Sequence, residues 1–268
     1  MQDLTDKDIL KNIKTGVMGR NIIIKDRTGS TNDDIRELAK RGAPEGTVVL
    51  AKEQTLGRGR NGRHWHTPPG DNIAMSLLLR PSFPADKAPM LTPVMGLAIA
   101  KAIEELAECR AMIKWPNDIV LERRKVCGIL TELHIAPGGG EYYVIIGAGI
   151  NVRQQVFAED IRDMAGSILT QTGKSVDRSR LIAAAMNAFE KDYNIFKESC
   201  SMAGLRKAYE DRLLNLGETV RVLDPAGEYQ AEAVGTGDGG ELIVRRADGS
   251  TERVYAGEVS VRGLYGYV

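Results

Sequence analysis

The 268-residue sequence predicts an α+β protein in two parts. Residues 1–215 form a unit with a mixed, mostly antiparallel sheet and flanking helices, and residues 216–268 form a small all-β barrel or sandwich. Three observations carry this reading. Apolar runs at 111–121, 126–133 and 142–152 are joined by ERRK and APGGG turns too short for a crossover helix, which favours antiparallel pairing. Stretches 86–108 and 178–214 carry apolar residues at helical spacing. Beyond Gly217 about five short β-like segments alternate with DPAG, GDGG and ADGS turns.

Taken in order, residues 3–14 place Leu4, Ile9, Leu10 and Ile13 on one short amphipathic helix, and Ile22 to Ile24 begins the body of the fold. That leaves no room for a winged helix-turn-helix before it. In GSTNDDIRELAKRGAPEG, Ser30 or Thr31 caps a helix of about three turns; Asp33 and Asp34 occupy its first turn, and Gly42 and Pro44 end it. Val48–Ala51 and Ile73–Leu79 read as strands on either side of a glycine- and arginine-rich stretch. Helix 86–108 has Pro89 and Pro93 near its start, where prolines are tolerated. Ala111–Trp115 reads as one run continuing into Asp118–Leu121, and the helical region 178–214 is interrupted near 199–204.

Composition narrows the function. Lysine plus arginine and aspartate plus glutamate both total 36, so no global field holds the chain on nucleic acid or an anionic membrane. Residues 217–268 carry nine acids and five arginines, a net charge of −4 that repels phosphate backbones and argues against specific DNA binding. The three cysteines, Cys109, Cys127 and Cys200, have neither the number nor the spacing for a disulfide framework or zinc site, which fits a reducing cytoplasm. No signal peptide or membrane-spanning run is present, so a soluble, cytoplasmic protein is expected.

Three clusters can carry chemistry. Gln54 to Gly70 holds Arg58, Arg60 and Arg63 and no acid; its alternating glycines bring backbone N–H groups close to an anion, and arginine forks grip phosphate or carboxylate. From the residues alone, a solvated basic loop and an anion site stand level. It lacks the P-loop spacing. Lys114-Trp115-Pro116-Asn117-Asp118 offers a cation, an amide and a carboxylate for phosphate, adenine and Mg²⁺, against the plainer reading of a turn around a buried tryptophan. Nearby Lys125, beside Arg123 and Arg124, reads equally as an exposed basic turn. Gly147-Ala148-Gly149-Ile150-Asn151 begins like a dinucleotide fingerprint, but Val152 stands where a third glycine belongs; close approach of a flat ligand or of another backbone explains it better. Ser76 and Ser167 lack nucleophile-elbow glycines, His64 and His66 read as loop residues, and Cys127 reads as core.

In order, GSTND, EQTLGRGRNGRHW, KWPND, RKVCGILTEL and IGAGINV resemble the biotin protein ligase family, also called biotin–[acetyl-CoA carboxylase] ligase, over roughly residues 17–268. The resemblance implies a class II synthetase-like catalytic domain of the biotin–lipoate ligase type with an SH3-like C-terminal domain. It implies formation of biotinyl-5′-AMP and pyrophosphate from biotin and ATP with Mg²⁺, then biotin transfer to a lysine of the biotin carboxyl carrier protein of a biotin-dependent carboxylase. No protein nucleophile is needed, since biotin's carboxylate attacks the α-phosphate and the protein positions and stabilises charge. The short N-terminus matches the monofunctional class without a winged-helix repressor domain, and an exposed edge strand would permit a homodimer.

By the same resemblance, Ser30, Thr31, Asn32 and Gln54 hydrogen-bond biotin's ureido ring. Gly57, Arg58, Gly59, Arg60 and the rest of the loop to Arg63 close over the adenylate, with Arg58 and Arg60 on its carboxyl and phosphate groups and Trp65 over the adenine side. Arg60, Arg63, Trp65, Asn117 and Asn151 serve the nucleotide, and Asp118 serves the metal. Gly128, Gly147 and Gly149 form the floor beneath biotin, and Lys125 is the main catalytic side chain. Asn61 stands where some members have arginine. Glycine-rich and self-repelling, the loop is expected to be mobile until an anionic ligand arrives.

Overall fold

The computed structural model describes residues 4–136, 141–224, 227–256 and 260–263. Parts of the APGGG and DPAG turns and the last five residues lie outside the described residues. The chain opens with α1 (Asp6–Leu10), β1 (Asn21–Thr28), α2 (Thr31–Lys40), β2 (Thr47–Gln54) and β3 (Asn72–Leu79). A 3-10 turn at Ala85–Met90 leads into α3 (Leu91–Ala107). Then come β4 (Met112–Lys114), β5 (Asp118–Leu121), β6 (Arg124–Ile135), β7 (Tyr142–Asn151), α4 (Ile168–Thr172), α5 (Arg178–Ser199) and α6 (Arg206–Glu210). The second part holds β8 (Thr219–Asp224), β9 (Gly227–Thr236), β10 (Leu242–Arg245), β11 (Thr251–Val254) and β12 (Ser260–Gly263).

The larger sheet runs β1-β2-β3-β7-β6-β5-β4. Only β1 and β2 pair in parallel, linked by the α2 crossover, and every other neighbour pair is antiparallel. The expected mixed sheet is therefore present. Ala111–Leu121 is not one continuing run: the chain reverses at a cis Trp115–Pro116 peptide, and β4 pairs antiparallel with β5. Proline removes a ladder donor and interrupts the strand there, which the apolar pattern alone did not register. The 86–108 helix also divides, its first turn being 3-10 around Pro89, while Pro93 sits in the first turn of α3 where its missing N–H has no partner to lose.

One sheet face is buried under α3 and α5 in a core that includes Ile73, Leu77, Ile99, Ile129 and Phe189. On the opposite face α2 seats Ile35 and Ala39 against Val49, Leu78, Tyr143 and Ile145. Ser30 occupies the N-cap of α2, the position expected of Ser30 or Thr31, but makes no side-chain cap bond. Its hydroxyl is left for the space beyond the helix end.

The smaller sheet is antiparallel in the order β11-β10-β9-β8-β12, consistent with the expected SH3-like domain. It docks through Trp115, whose Nε1 donates to the Gly240 carbonyl at 3.0 Å and whose backbone N–H donates to Asn215 Oδ1 at 2.8 Å. Among the described residues no helix is long and apolar enough to cross a membrane.

Candidate active site

Strand register builds the site. Ala74, Gly149, Gly128, Asp118 and Lys114 stand opposite one another on β3, β7, β6, β5 and β4, and Ser76, Gly147 and Leu130 form the neighbouring row. Both rows lie on the α2 side of the sheet, past that helix's N-terminus. Small residues there leave a cavity of about 610 Å³, the size of a nucleotide or cofactor site.

Its inner end is lined by neutral polar groups. Ser30, Thr31 and Asn32 enter from the start of α2 and are buried. Thr31 N and Oγ1 lie 2.9 and 3.0 Å from Gln54 Oε1. Ser76 Oγ lies 2.8 Å from Thr31 Oγ1 and 2.5 Å from Asn32 Oδ1, and Asn32 Nδ2 donates to Glu132 at 2.6 Å. Gly147 is required beneath them, since a Cβ there falls 2.3 Å from Asn32 Oδ1.

The other end is cationic. Lys125 Nζ lies 2.6 Å from Asp118 Oδ1, and both side chains are largely buried. The register slips between Ile119 and Val120, so that Cys127 faces Ile119 and Lys125 faces Val120, a β-bulge. Regular alternation would put Lys125 on the core face with Cys127; the bulge turns it over Gly128, where a Cβ would meet its Nζ at 3.2 Å. Hydrogen bonds from Lys125 N to the Met164 carbonyl and from Gly166 N to the Lys125 carbonyl pin its backbone. The exposed-turn reading of Lys125 is thereby replaced.

Arg60 Nη1 donates to Asn117 Oδ1 at 3.1 Å and its Nη2 to the Ala256 carbonyl at 2.8 Å, so the loop bridges the two sheets. Asn117 also donates to the Ile129 carbonyl at 3.1 Å. Burial lowers the Arg60 pKa, partly offset by Asp118, yet a guanidinium stays charged at neutral pH. Arg58 behaves differently. Its Nη1 and Nη2 make a bidentate pair with Asp33 at 2.7 and 2.8 Å and approach Glu132 at 3.9 Å. Those bonds hold the Asp33 carboxyl below its usual range and raise Arg58. Arg58 thus lines the cavity but has its charge matched by protein carboxylates, whereas the sequence expectation set it on the ligand's.

Trp65 lies over the glycine floor: a Cβ at Gly149 would fall 2.2 Å from its ring and one at Gly128 would fall 3.1 Å away. Lys125 Nζ sits 5.6 Å from the ring centroid. The floor glycines therefore admit Trp65, and Gly147 admits Asn32. Gly57, unlike Gly59, does not line the cavity; a Cβ there would strike the Trp65 carbonyl at 2.3 Å, so it lets the loop close on itself. Arg63 lines the mouth, and Asn151 lines the wall, donating to the Gly166 carbonyl at 3.0 Å.

Every other expected site residue reaches this one cavity. Glu132 and Ser76 at the inner end, Gln154, Phe157, Ile161 and Met164 from the segment after β7, and Arg221 and Val261 from the second sheet were not singled out as site residues. For Glu132 a signal existed, because period-two alternation puts it on the face of Gly128 and Leu130.

Residues 25–151 match the biotin/lipoate A/B protein ligase family and residues 216–262 the biotin protein ligase C-terminal domain. The chain is 36% identical over 260 residues to the bifunctional ligase/repressor BirA of Bacillus subtilis, covering 96% of this chain and 79% of that protein. The chain belongs to the biotin protein ligase family. It is 35% identical to the biotin–[acetyl-CoA-carboxylase] ligase of Paracoccus denitrificans over 82% of this chain and 92% of that protein. Among solved structures, the biotin protein ligase of Aquifex aeolicus in complex with biotin and ATP matches with a TM-score of 0.80 and 31% identity over 91% of this chain and 99% of that one.

Proposed function

We propose that this chain activates biotin with ATP to biotinyl-5′-AMP, releasing pyrophosphate, and transfers the biotinyl group to a lysine of a biotin carboxyl carrier protein. The observation that carries the reading is the polarity of the cavity, whose neutral hydrogen-bonding end and cationic end share one floor. A cyclic urea suits the first end, and a carboxylate meeting a triphosphate suits the second.

A biotin carboxylate oxygen bonds to the α-phosphorus as the bond to the pyrophosphate oxygen breaks. Lys125 and Arg60 face the charge that collects on the phosphoryl oxygens, Asp118 and Asn117 orient them, and Trp65 covers the floor beside Lys125. Arg58 anchors the loop through Asp33. In the second step the carrier's lysine amine attacks the acyl carbon and AMP leaves.

No three His, Cys, Asp or Glu groups converge on a metal position among the described residues, and Asp118 is the one carboxylate among those lining the cavity. This donor set fits a Mg²⁺ ion that would arrive on the nucleotide and take most of its ligands from it, with Asp118 the residue that would help hold it. When bound it neutralises phosphate charge. Residues 1–215 serve as the biotin- and ATP-binding unit and 216–268 as the C-terminal unit, which meets the loop at Arg60.

The test is labelling of a purified carrier domain. Labelling that needs both biotin and ATP is expected; a folded enzyme that labels no carrier domain contradicts the proposal.

A further inference from the structure

We propose that Glu132 is a positioning residue for biotin selection: its carboxylate sets the direction of a hydrogen-bond chain through Asn32, Ser76 and Thr31, which leaves acceptor atoms facing the cavity. The inference rests on the biotin-ligase reading above.

An ionised carboxylate only accepts. Asn32 must therefore point Nδ2 at Glu132, 2.6 Å away, and Oδ1 at Ser76, 2.5 Å away. Asn32 Oδ1 cannot donate, so the single hydroxyl proton of Ser76 goes to it. The Ser76–Thr31 contact of 2.8 Å then takes its proton from Thr31, and Gln54 Oε1 is satisfied by the Thr31 backbone N–H at 2.9 Å. With Gln54 Oε1, 3.0 Å from Thr31 Oγ1, already holding the backbone N–H, the Ser76 and Thr31 hydroxyls are thus committed toward Glu132.

What remains for a ligand is acceptor capacity on Asn32 Oδ1, which lies directly over Gly147, and on Thr31 Oγ1. Acceptors at a buried end demand N–H donors. A cyclic urea brings two; lipoate and octanoate bring none and would leave those oxygens unpaired, the arrangement that gives strong rejection. The second Glu132 oxygen faces Arg58 at 3.9 Å, so the variants must separate acceptor from charge.

The experiment measures KM for biotin and for ATP in pyrophosphate exchange, with octanoate as the acid lacking N–H groups, for wild type, Glu132→Ala and Glu132→Gln. Glutamine keeps an acceptor for Asn32 and loses the charge. Glu132→Ala is expected to raise biotin KM about tenfold, the scale of one charge-assisted hydrogen bond, with ATP KM within about twofold and no exchange with octanoate in wild type or either variant; Glu132→Gln restores most of the loss. An unchanged biotin KM, an equal rise in both KM values, or equal losses in the two variants overturns the proposal. Should Glu132→Ala not fold, Ser76→Ala breaks the same chain one link on, and an unchanged biotin KM there overturns it equally. Wild type that shows no biotin-dependent exchange overturns the ligase reading instead.

Discussion

Lys125 and Asp118 form an ion pair of 2.6 Å across the β5–β6 hairpin, and the β-bulge at Val120 makes that pairing possible on the cavity side of the sheet. Removing the lysine, Lys125→Ala, is expected to slow adenylation by about 10²- to 10³-fold, the usual loss when one group facing developing charge is removed. Thermal stability should fall as well, because the largely buried Asp118 carboxylate loses that partner, so adenylation is compared at a temperature where both proteins are folded. Asp118→Asn should keep fold and substrate affinity while lowering the exchange rate through a misdirected Lys125. Single-turnover adenylation read beside a melting curve checks both, and unaltered adenylation in Lys125→Ala removes the lysine from its role.

Arg60 depends on Asn117 for its place over the cationic end. Asn117→Ala should raise ATP KM by about tenfold, the scale of one hydrogen bond to a charged group, with biotin KM little changed. Steady-state kinetics with each substrate varied in turn decides it.

The floor beneath Trp65 tolerates no side chain. Gly149→Ala places a methyl where the indole lies and should destabilise by about 1–3 kcal/mol through overpacking. Adding Trp65→Ala should recover stability but not activity. Recovery of both would mean Trp65 plays no part in the reaction.

The Asp33–Arg58 pair gives a pH signature. Arg58 depresses the Asp33 carboxyl, so its contribution is fully present above the unfolded value of about 3.9 and is lost as pH falls through the lower folded value. Both partners are more than one-third exposed, so the contribution is about 0.5–1 kcal/mol. Denaturant unfolding of wild type and Asp33→Asn should differ by a constant amount from pH 5 to 8 and converge below about pH 4. A gap that widens on acidification contradicts the pairing.

Local spacing made much of the molecule legible. Ser30, Gln54, Arg60, Asn117 and Lys125 each lie in a short motif whose resemblance to the family singled them out, and the runs at β2, β3, β6 and β7 carry clear apolar patterns. What escaped depends on register or on partners distant in sequence. Asp33 and Arg58 are 25 positions apart with nothing local to join them. Ser76 was weighed only as a nucleophile, and its role appears only when β3 is set beside β7. The reversal at Trp115–Pro116 was half legible: KWPND offered a turn around a buried tryptophan, yet the apolar residues on both sides read as one continuing run instead of two antiparallel strands. Gly57 was given to a ligand, whereas it lies off the cavity and makes room for the Trp65 carbonyl; Gly149 does line the cavity, but that it also admits the Trp65 ring is a contact no residue pattern announces.

ATP–pyrophosphate exchange by the purified protein with Mg²⁺, run in parallel with biotin, lipoate, octanoate and no acid, tests the central claim most directly. Exchange with biotin and not with the other acids is the result expected of a cavity with an acceptor-lined neutral end and a cationic end. Exchange with lipoate or octanoate in place of biotin, or none with any acid, contradicts it.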